Sequence, residues 1–239
     1  MNILVTGGSG FIGTNFIKFL LTNPETKDNS VINLDKQTYA AKGNNLKHLG
    51  LSENPQYHFI KGDLCTPEVT EEVFNQYHPE LVFNLAAESH VDRSIQTAIP
   101  FFTSNILGAV NIFESAKKNR PSKLIQISTD EVYGSTREGS FSEKDRLNPA
   151  SPYSSSKASA ELSALSYFQT YDLPIIVTRS ANNYGPYQFP EKLLPLFITN
   201  LIDKTKVPLM WSEENPGLNV RDWLHVEDNC RAIWHIAMN

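Results

Sequence analysis

The chain has 239 residues, 40% of them hydrophobic and 20% charged, with a net charge of −5. This suffices for one large α/β domain, or one domain with a small appendage, and excludes a disordered chain. The acidic balance gives no support for nucleic acid as a partner, and no apolar run approaches the roughly 20 residues needed to cross a membrane.

The N-terminus, Met-Asn-Ile-Leu-Val-Thr-Gly, lacks the basic and apolar regions of a signal peptide. Cys65 and Cys230 form no C-x-x-C pair, so no metal is expected and a reduced, cytoplasmic setting fits best. Short apolar runs then alternate with helical patterns. Strands are predicted at Ile3–Val5, Val31–Asp35, Tyr57–Ile60, Leu81–Leu85, Lys123–Ser128 and Pro174–Arg179. Helices are predicted at Gly13–Leu21, Pro67–Tyr77, Phe101–Asn119 and Tyr153–Tyr171, with Ile106, Val110 and Phe113 along one face of the third. This alternation argues for a Rossmann-type, doubly wound parallel sheet covered on both faces. Residues 1–180 are expected to form the dinucleotide-binding domain. Residues 181–220, rich in Asn, Pro, Tyr and Glu, read as a partial substrate-binding region with one helix near Leu193–Leu201. Residues 221–239 read as a strand at Trp223–Val226 and a helix returning to the first domain.

Gly7-Gly8-Ser9-Gly10-Phe11-Ile12-Gly13 follows a strand and opens a helix. Its small residues let the backbone approach a pyrophosphate, whose charge the helix N-terminus favours. Asp35 ends the second strand, where a carboxylate accepts hydrogen bonds from an adenosine ribose and repels a 2′-phosphate, favouring NAD over NADP. The neighbouring Lys36 adds some ambiguity.

Tyr153 and Lys157 lie one turn apart on a helix. An ammonium and a positive nicotinamide ring would draw the tyrosine pKa down from about 10 toward neutrality. Thr129, Asp130 and Glu131, after Ser128, stand where the fifth strand leaves the sheet. They are either a cap or turn, or an acid and base whose environments separate their pKa values. Ala86, Ala87 and Ser89 follow the fourth strand, where small residues admit a cofactor. Asn182 and Asn183 follow the sixth, as a turn or as amide contacts. Arg221 beside Asp222 is either a surface ion pair or a phosphate clamp.

Together these stretches resemble the extended short-chain dehydrogenase/reductase family, and within it the dTDP-glucose 4,6-dehydratases. The most specific are Thr129-Asp130-Glu131 and the run from Asn182 through Glu191 to Leu193. GDP-mannose dehydratases and uronate decarboxylases typically have Ser at the Asp130 position. The resemblance implies NAD as cofactor and a nucleotide sugar as substrate. Tyr153, with Lys157, takes the C4 hydroxyl proton while Thr129 holds the C4 oxygen. Glu131 removes the C5 proton, and Asp130 protonates the departing C6 hydroxyl. The same carry-over assigns the cofactor to Gly7, Gly10, Phe11, Ile12, Gly13, Asp35, Lys36, Gln37, Thr38, Asp63, Leu64, Leu85, Ala86, Ala87, Ser89, Ser104, Tyr153, Lys157 and Asn183. It assigns the substrate to Ser89, Thr129, Tyr153, Asn182, Lys192, Leu193, Pro208 and Arg221. A homodimer through Phe101–Asn119 and Tyr153–Tyr171 is implied, with Leu162, Leu165 and Phe168 as apolar surface.

Two departures stand out. Trp211–Gly217 replaces a shorter glycine-containing turn, and family members continue beyond the point where this chain stops. The chain is therefore expected to hold NAD but to turn over dTDP-glucose poorly. UDP-glucose as substrate, a nucleotide-sugar 4-epimerase and an inactive NAD-binding protein are the alternatives. An epimerase does not need the Asp130–Glu131 pair.

Overall fold

The structure, a computed structural model, describes residues 1–239 apart from 42–43, 137, 210–216 and 218–219. All but Gly217 of the expected longer turn at 211–217 thus lies outside the described residues.

In chain order the elements are β1 (Asn2–Thr6), α1 (Phe11–Thr22), β2 (Ser30–Asp35), α2 (Asn44–His48), β3 (Tyr57–Lys61), α3 (Pro67–Tyr77), β4 (Leu81–Asn84), α4 (Val91–Gln96) and α5 (Ile99–Phe102). They continue as α6 (Gly108–Asn119), β5 (Lys123–Thr129), α7 (Pro152–Tyr171), β6 (Ile175–Ser180), β7 (Asn182–Tyr184), α8 (Leu193–Ile202), β8 (Trp223–His225) and α9 (Val226–Met238). Six strands pair in parallel in the order β3-β2-β1-β4-β5-β6, and β7 pairs with β8 in a separate parallel ribbon. The strand order reverses between β1 and β4, the crevice where open α/β sheets bind ligands.

Alternate strand residues feed opposite layers. Ile3 and Val5 join a core with Phe16, Leu20, Phe83, Val226 and Ile233, under α1 and α9. Leu4 joins the other with Phe74, Val82, Ile112, Phe113 and Ala160, under α3, α6 and α7. Each such side chain contributes about 1.5–3 kcal/mol on leaving water. Phe83 meets Phe16 edge-on at 4.6 Å, and Phe83→Ala would cost about 3–5 kcal/mol.

The helix expected over Phe101–Asn119 is interrupted. Thr103–Leu107 form a π-helical turn between α5 and α6. The wider turn shifts the helical frame, so Phe113 is buried while Ile106 and Val110 are only half-buried. Three elements went unread in the sequence: α2 and α4, too short to show a period, and β7, in a segment read as a turn or as amide contacts. Helix α8 is apolar yet has no buried residue.

Candidate active site

The turn after β1 is shaped by crowding. Gly7 has φ +67°, and a Cβ there would lie 2.6 Å from the Ala86 backbone; one on Gly13 would lie 2.3 Å from the Gly7 carbonyl. Only glycine satisfies both, and the result is a cradle of backbone at the start of α1.

Beside it Asp35 is buried. Its Oδ2 accepts from the Ser9 N–H at 3.0 Å and its Oδ1 from the Gln37 N–H at 2.6 Å. Burial nonetheless raises its pKa, against those bonds and the Lys36 charge. Lys36 is committed elsewhere, to Asp63 Oδ2 at 3.7 Å. Burial of Asp63 is outweighed by the Cys65 N–H and Lys36, which hold its carboxyl low.

One cavity joins these groups to Tyr153 and Lys157, while Thr129, Asp130 and Glu131 lie off its wall. Of the expected cofactor positions it is lined by Gly7, Gly10, Phe11, Ile12, Gly13, Asp35, Lys36, Thr38, Asp63, Leu64, Leu85, Ala86, Ala87, Ser89, Ser104, Tyr153 and Lys157. Gln37 and Asn183 do not line it. Gln37 acts through its backbone, at φ +56°. Asn183 sits on β7 and donates to the Ala181 carbonyl at 3.0 Å.

Ser104 reaches the cavity from the π turn. The next residue, Asn105, accepts from the Glu88 N–H at 2.8 Å and donates to the Glu88 carbonyl at 3.0 Å and to Ser156 Oγ at 2.8 Å. The turn thus ties the segment after β4 to α7, in keeping with the frequent placement of π turns at functional sites. Its sequence, Thr-Ser-Asn-Ile-Leu, carries no signal for it.

Helix α7 begins with a capping box in which Ser151 and Ser154 satisfy each other's backbone N–H. Pro152 at its first turn and the Tyr153 N–H, donated to Ser94 Oγ at 3.2 Å, fix the tyrosine's entry. Lys157 is buried and donates to the Ile127 carbonyl at 2.6 Å. Burial lowers its pKa to about 8, against the pull of Glu161. Tyr153 sits in a different environment. Its phenol is raised, first by burial and then by Glu131 and Asp130, with a hydrogen bond to Thr129 opposing. The protein's own groups thus favour the protonated phenol, and the lowering read from the sequence depends on the added charge of a nicotinamide ring.

Thr129 ends β5, and Asp130 and Glu131 open a short 3-10 turn, Asp130–Tyr133. Thr129 Oγ1 accepts from the Glu131 N–H at 3.2 Å and donates to Asp130 Oδ1 at 3.1 Å. The cap read as one alternative in the sequence is formed, and the two carboxyls stand on the turn that it opens. Burial raises both carboxyls. At Asp130 the Thr129 hydroxyl opposes this; at Glu131 the Asp130 charge adds to it, while Arg221 and Lys192 oppose.

Among the expected substrate residues, Lys192 lines the cavity and donates to the Ser89 carbonyl at 3.1 Å. Exposed Arg221 lies close enough for its charge to act on both carboxyls. Asn182 is on β7, while Leu193 and Pro208 are exposed and off the cavity wall.

Sequence reasoning missed Tyr39, Ser128, Phe189 and Glu191 as lining residues. Glu191 accepts from the Tyr39 hydroxyl at 3.2 Å and from Arg93 at 3.1 Å, and Arg93 lies over the Tyr39 ring at 3.8 Å. Phe189 and Glu191 belonged to the run from Asn182 to Leu193 that carried the resemblance, beside residues that were singled out. Ser128 Oγ is buried without a partner on the cavity wall. The cradle, the buried carboxylate and this orphan hydroxyl fit a dinucleotide.

The family model described as GDP-mannose 4,6 dehydratase matches residues 4–239. The chain belongs to that family. A dTDP-glucose 4,6-dehydratase of Streptomyces niveus is 43% identical over 235 residues, covering 98% of this chain and 68% of that protein. Two solved members of the dehydratase family share the fold. The dTDP-glucose 4,6-dehydratase from Bacillus anthracis str. Ames, in complex with NAD, is 48% identical with a TM-score of 0.89, over 99% of this chain and 71% of that one. DesIV, a dTDP-glucose 4,6-dehydratase from Streptomyces venezuelae with NAD and TYD bound, is 42% identical with a TM-score of 0.91, over 98% and 70%.

Proposed function

We propose that the chain catalyses NAD-dependent dehydration of a nucleotide-activated glucose, dTDP-glucose, to its 4-keto-6-deoxy derivative, a reaction of deoxysugar biosynthesis. The observation that carries this is the meeting of Tyr153 with Thr129, Asp130 and Glu131, whose groups act on the tyrosine directly. A dehydrogenase or a 4-epimerase needs the tyrosine but not two half-buried carboxyls beside it. The similarity to dTDP-glucose 4,6-dehydratases supports the same reading.

The glycine turn would hold the pyrophosphate of NAD and Asp35 its adenosine ribose. When bound, NAD accepts a hydride from C4 and returns it at C6. Tyr153 takes the C4 hydroxyl proton and Thr129 holds the C4 oxygen. The C4 ketone acidifies C5, Glu131 removes the C5 proton, and Asp130 gives its proton to the C6 hydroxyl, which leaves as water. Burial raises both carboxyls, which suits Asp130 as donor, and the Lys192 charge, which acts on Glu131 alone of the pair, favours the base form there. Lys192, Arg221 and Ser89 would meet the sugar nucleotide. A reprotonated C5 completes the 6-deoxy sugar.

Two further statements rest on the same reading. The chain pairs as a homodimer through α6 and α7, supported by the exposed Leu162, Leu165 and Phe168 on α7. It works in the cytoplasm, supported by two free thiols, Cys65 and Cys230. Among the described residues no helix is long and apolar enough to cross a membrane.

Nuclear magnetic resonance of the product tests the function. dTDP-glucose should give a 4-keto sugar with a C6 methyl group; a C4 epimer would contradict the reading.

A further inference from the structure

Glu161 is 0% exposed and lies on α7 one turn beyond Lys157. A carboxylate so deeply buried needs a charged, hydrogen-bonded partner. Arg179 on β6 supplies it. Its Nε donates to the two Glu161 oxygens at 3.2 and 2.9 Å, and its Nη2 donates to Oε2 at 2.7 Å. The remaining Nη1 donates to the Tyr133 hydroxyl, and the guanidinium carbon sits 4.8 Å from the centre of the Tyr133 ring. Tyr133 is buried, stacked on Phe141 at 5.1 Å, and is the last residue of the turn that opens with Asp130 and Glu131. Just past it the Gly134 N–H donates to the Glu131 carbonyl at 3.2 Å, and the Asn148 N–H donates to the Val132 carbonyl at 2.8 Å.

None of the three side chains lines the cavity. They stand behind it, where α7 with its Tyr153 meets the turn with its two carboxyls. A set of apolar residues would fill this space at least as stably, since buried ion pairs are weak sources of stability. What the charged set adds is direction, because the planar guanidinium fixes the carboxylate and the phenol in one geometry.

We propose that Arg179, held by Glu161, is a positioning residue that aims the Asp130–Glu131 turn through Tyr133, and so controls water elimination without touching the substrate. This rests on the dehydratase reading.

The test compares Tyr133→Phe, Arg179→Lys and the wild type, each loaded with NAD, in single turnovers of dTDP-glucose. The absorbance of reduced nicotinamide reports C4 oxidation, and product analysis reports elimination. Hydrogen exchange without substrate reports the turn itself. Tyr133→Phe should leave C4 oxidation within about twofold and slow elimination about tenfold, the worth of one well-placed hydrogen bond. The Gly134 and Asn148 amides should exchange about tenfold faster, with the sheet amides unchanged. Arg179→Lys, which keeps a charge for Glu161 but not the fork, should behave alike. Wild-type elimination and exchange in Tyr133→Phe would overturn the proposal. So would equal slowing of both steps with faster exchange throughout, the signature of a merely structural role. If the wild type neither reduces its nicotinamide nor dehydrates dTDP-glucose, the dehydratase reading fails, and exchange at Gly134 and Asn148 still decides whether the network holds the turn.

Discussion

The Lys157 ammonium donates to the Ile127 carbonyl, 2.6 Å away at the end of β5, and is thereby fixed to the sheet rather than to the phenol of Tyr153. That contact sets its ammonium at one place on the cavity wall. Burial brings its pKa down to about 8. Its charge is present below that pH and lost above it, so turnover should fall as pH rises through about 8, and a Lys157→Met variant should lack that limb. The linkage to folding has the opposite sign. Between about pH 8 and the unfolded value near 10.4 the unfolded chain binds the extra proton, so stability should rise with pH across that window in the wild type and not in Lys157→Met. Chemical denaturation at several pH values checks this.

Asp35 should set cofactor choice. Its carboxylate is organised by the Ser9 and Gln37 N–H groups, and Lys36 is turned away to Asp63. Asp35→Ala should weaken NAD about tenfold or more, the range of a hydrogen bond to a charged group, and weaken NADP less. Asp63→Ala, by freeing Lys36, should improve NADP relative to NAD. Calorimetric titration with both cofactors measures the two ratios.

The two carboxyls should separate oxidation from elimination. Asp130→Asn and Glu131→Gln keep the shape of the turn but remove the donor and the base. In single turnovers both should accumulate reduced nicotinamide while 4-keto-6-deoxy product falls by about a hundredfold or more, the scale of acid–base catalysis. Normal product formation in both variants would remove them from the elimination.

The apolar face of α7 should hold two copies together. Leu162, Leu165 and Phe168 are 59%, 45% and 50% exposed, on one helical face. Leu165→Glu with Phe168→Glu should give monomers by sedimentation velocity while the circular dichroism spectrum stays unchanged. A wild type that sediments only as monomer at micromolar concentration would defeat the homodimer.

The parts of this molecule legible in the sequence were those written in local patterns. The six sheet strands announce themselves because a parallel sheet buries both faces and needs unbroken apolar runs such as Ile3-Leu4-Val5. Gly7 to Gly13 is legible because crowding against Ala86 admits no side chain. What spacing could not show was direction. Tyr153 and Lys157 are one turn apart, yet the lysine donates to a carbonyl and the tyrosine bonds to Thr129 under the charge of two carboxyls. Nor could it show partnerships made by the fold. Glu161 reads as a polar residue amid alanines and serines until β6 brings Arg179 beside it. The π turn was hidden because one residue of extra winding leaves no mark in composition.

The central claim is that one bound NAD carries a hydride from C4 to C6 of the same sugar while Glu131 and Asp130 expel water between the two transfers. The most direct test is mass spectrometry of the product from dTDP-glucose deuterated at C4. The account predicts that the deuterium appears in the C6 methyl group, with one solvent-derived hydrogen at C5. A dehydrated product without deuterium at C6, or deuterium returned to C4, would contradict it.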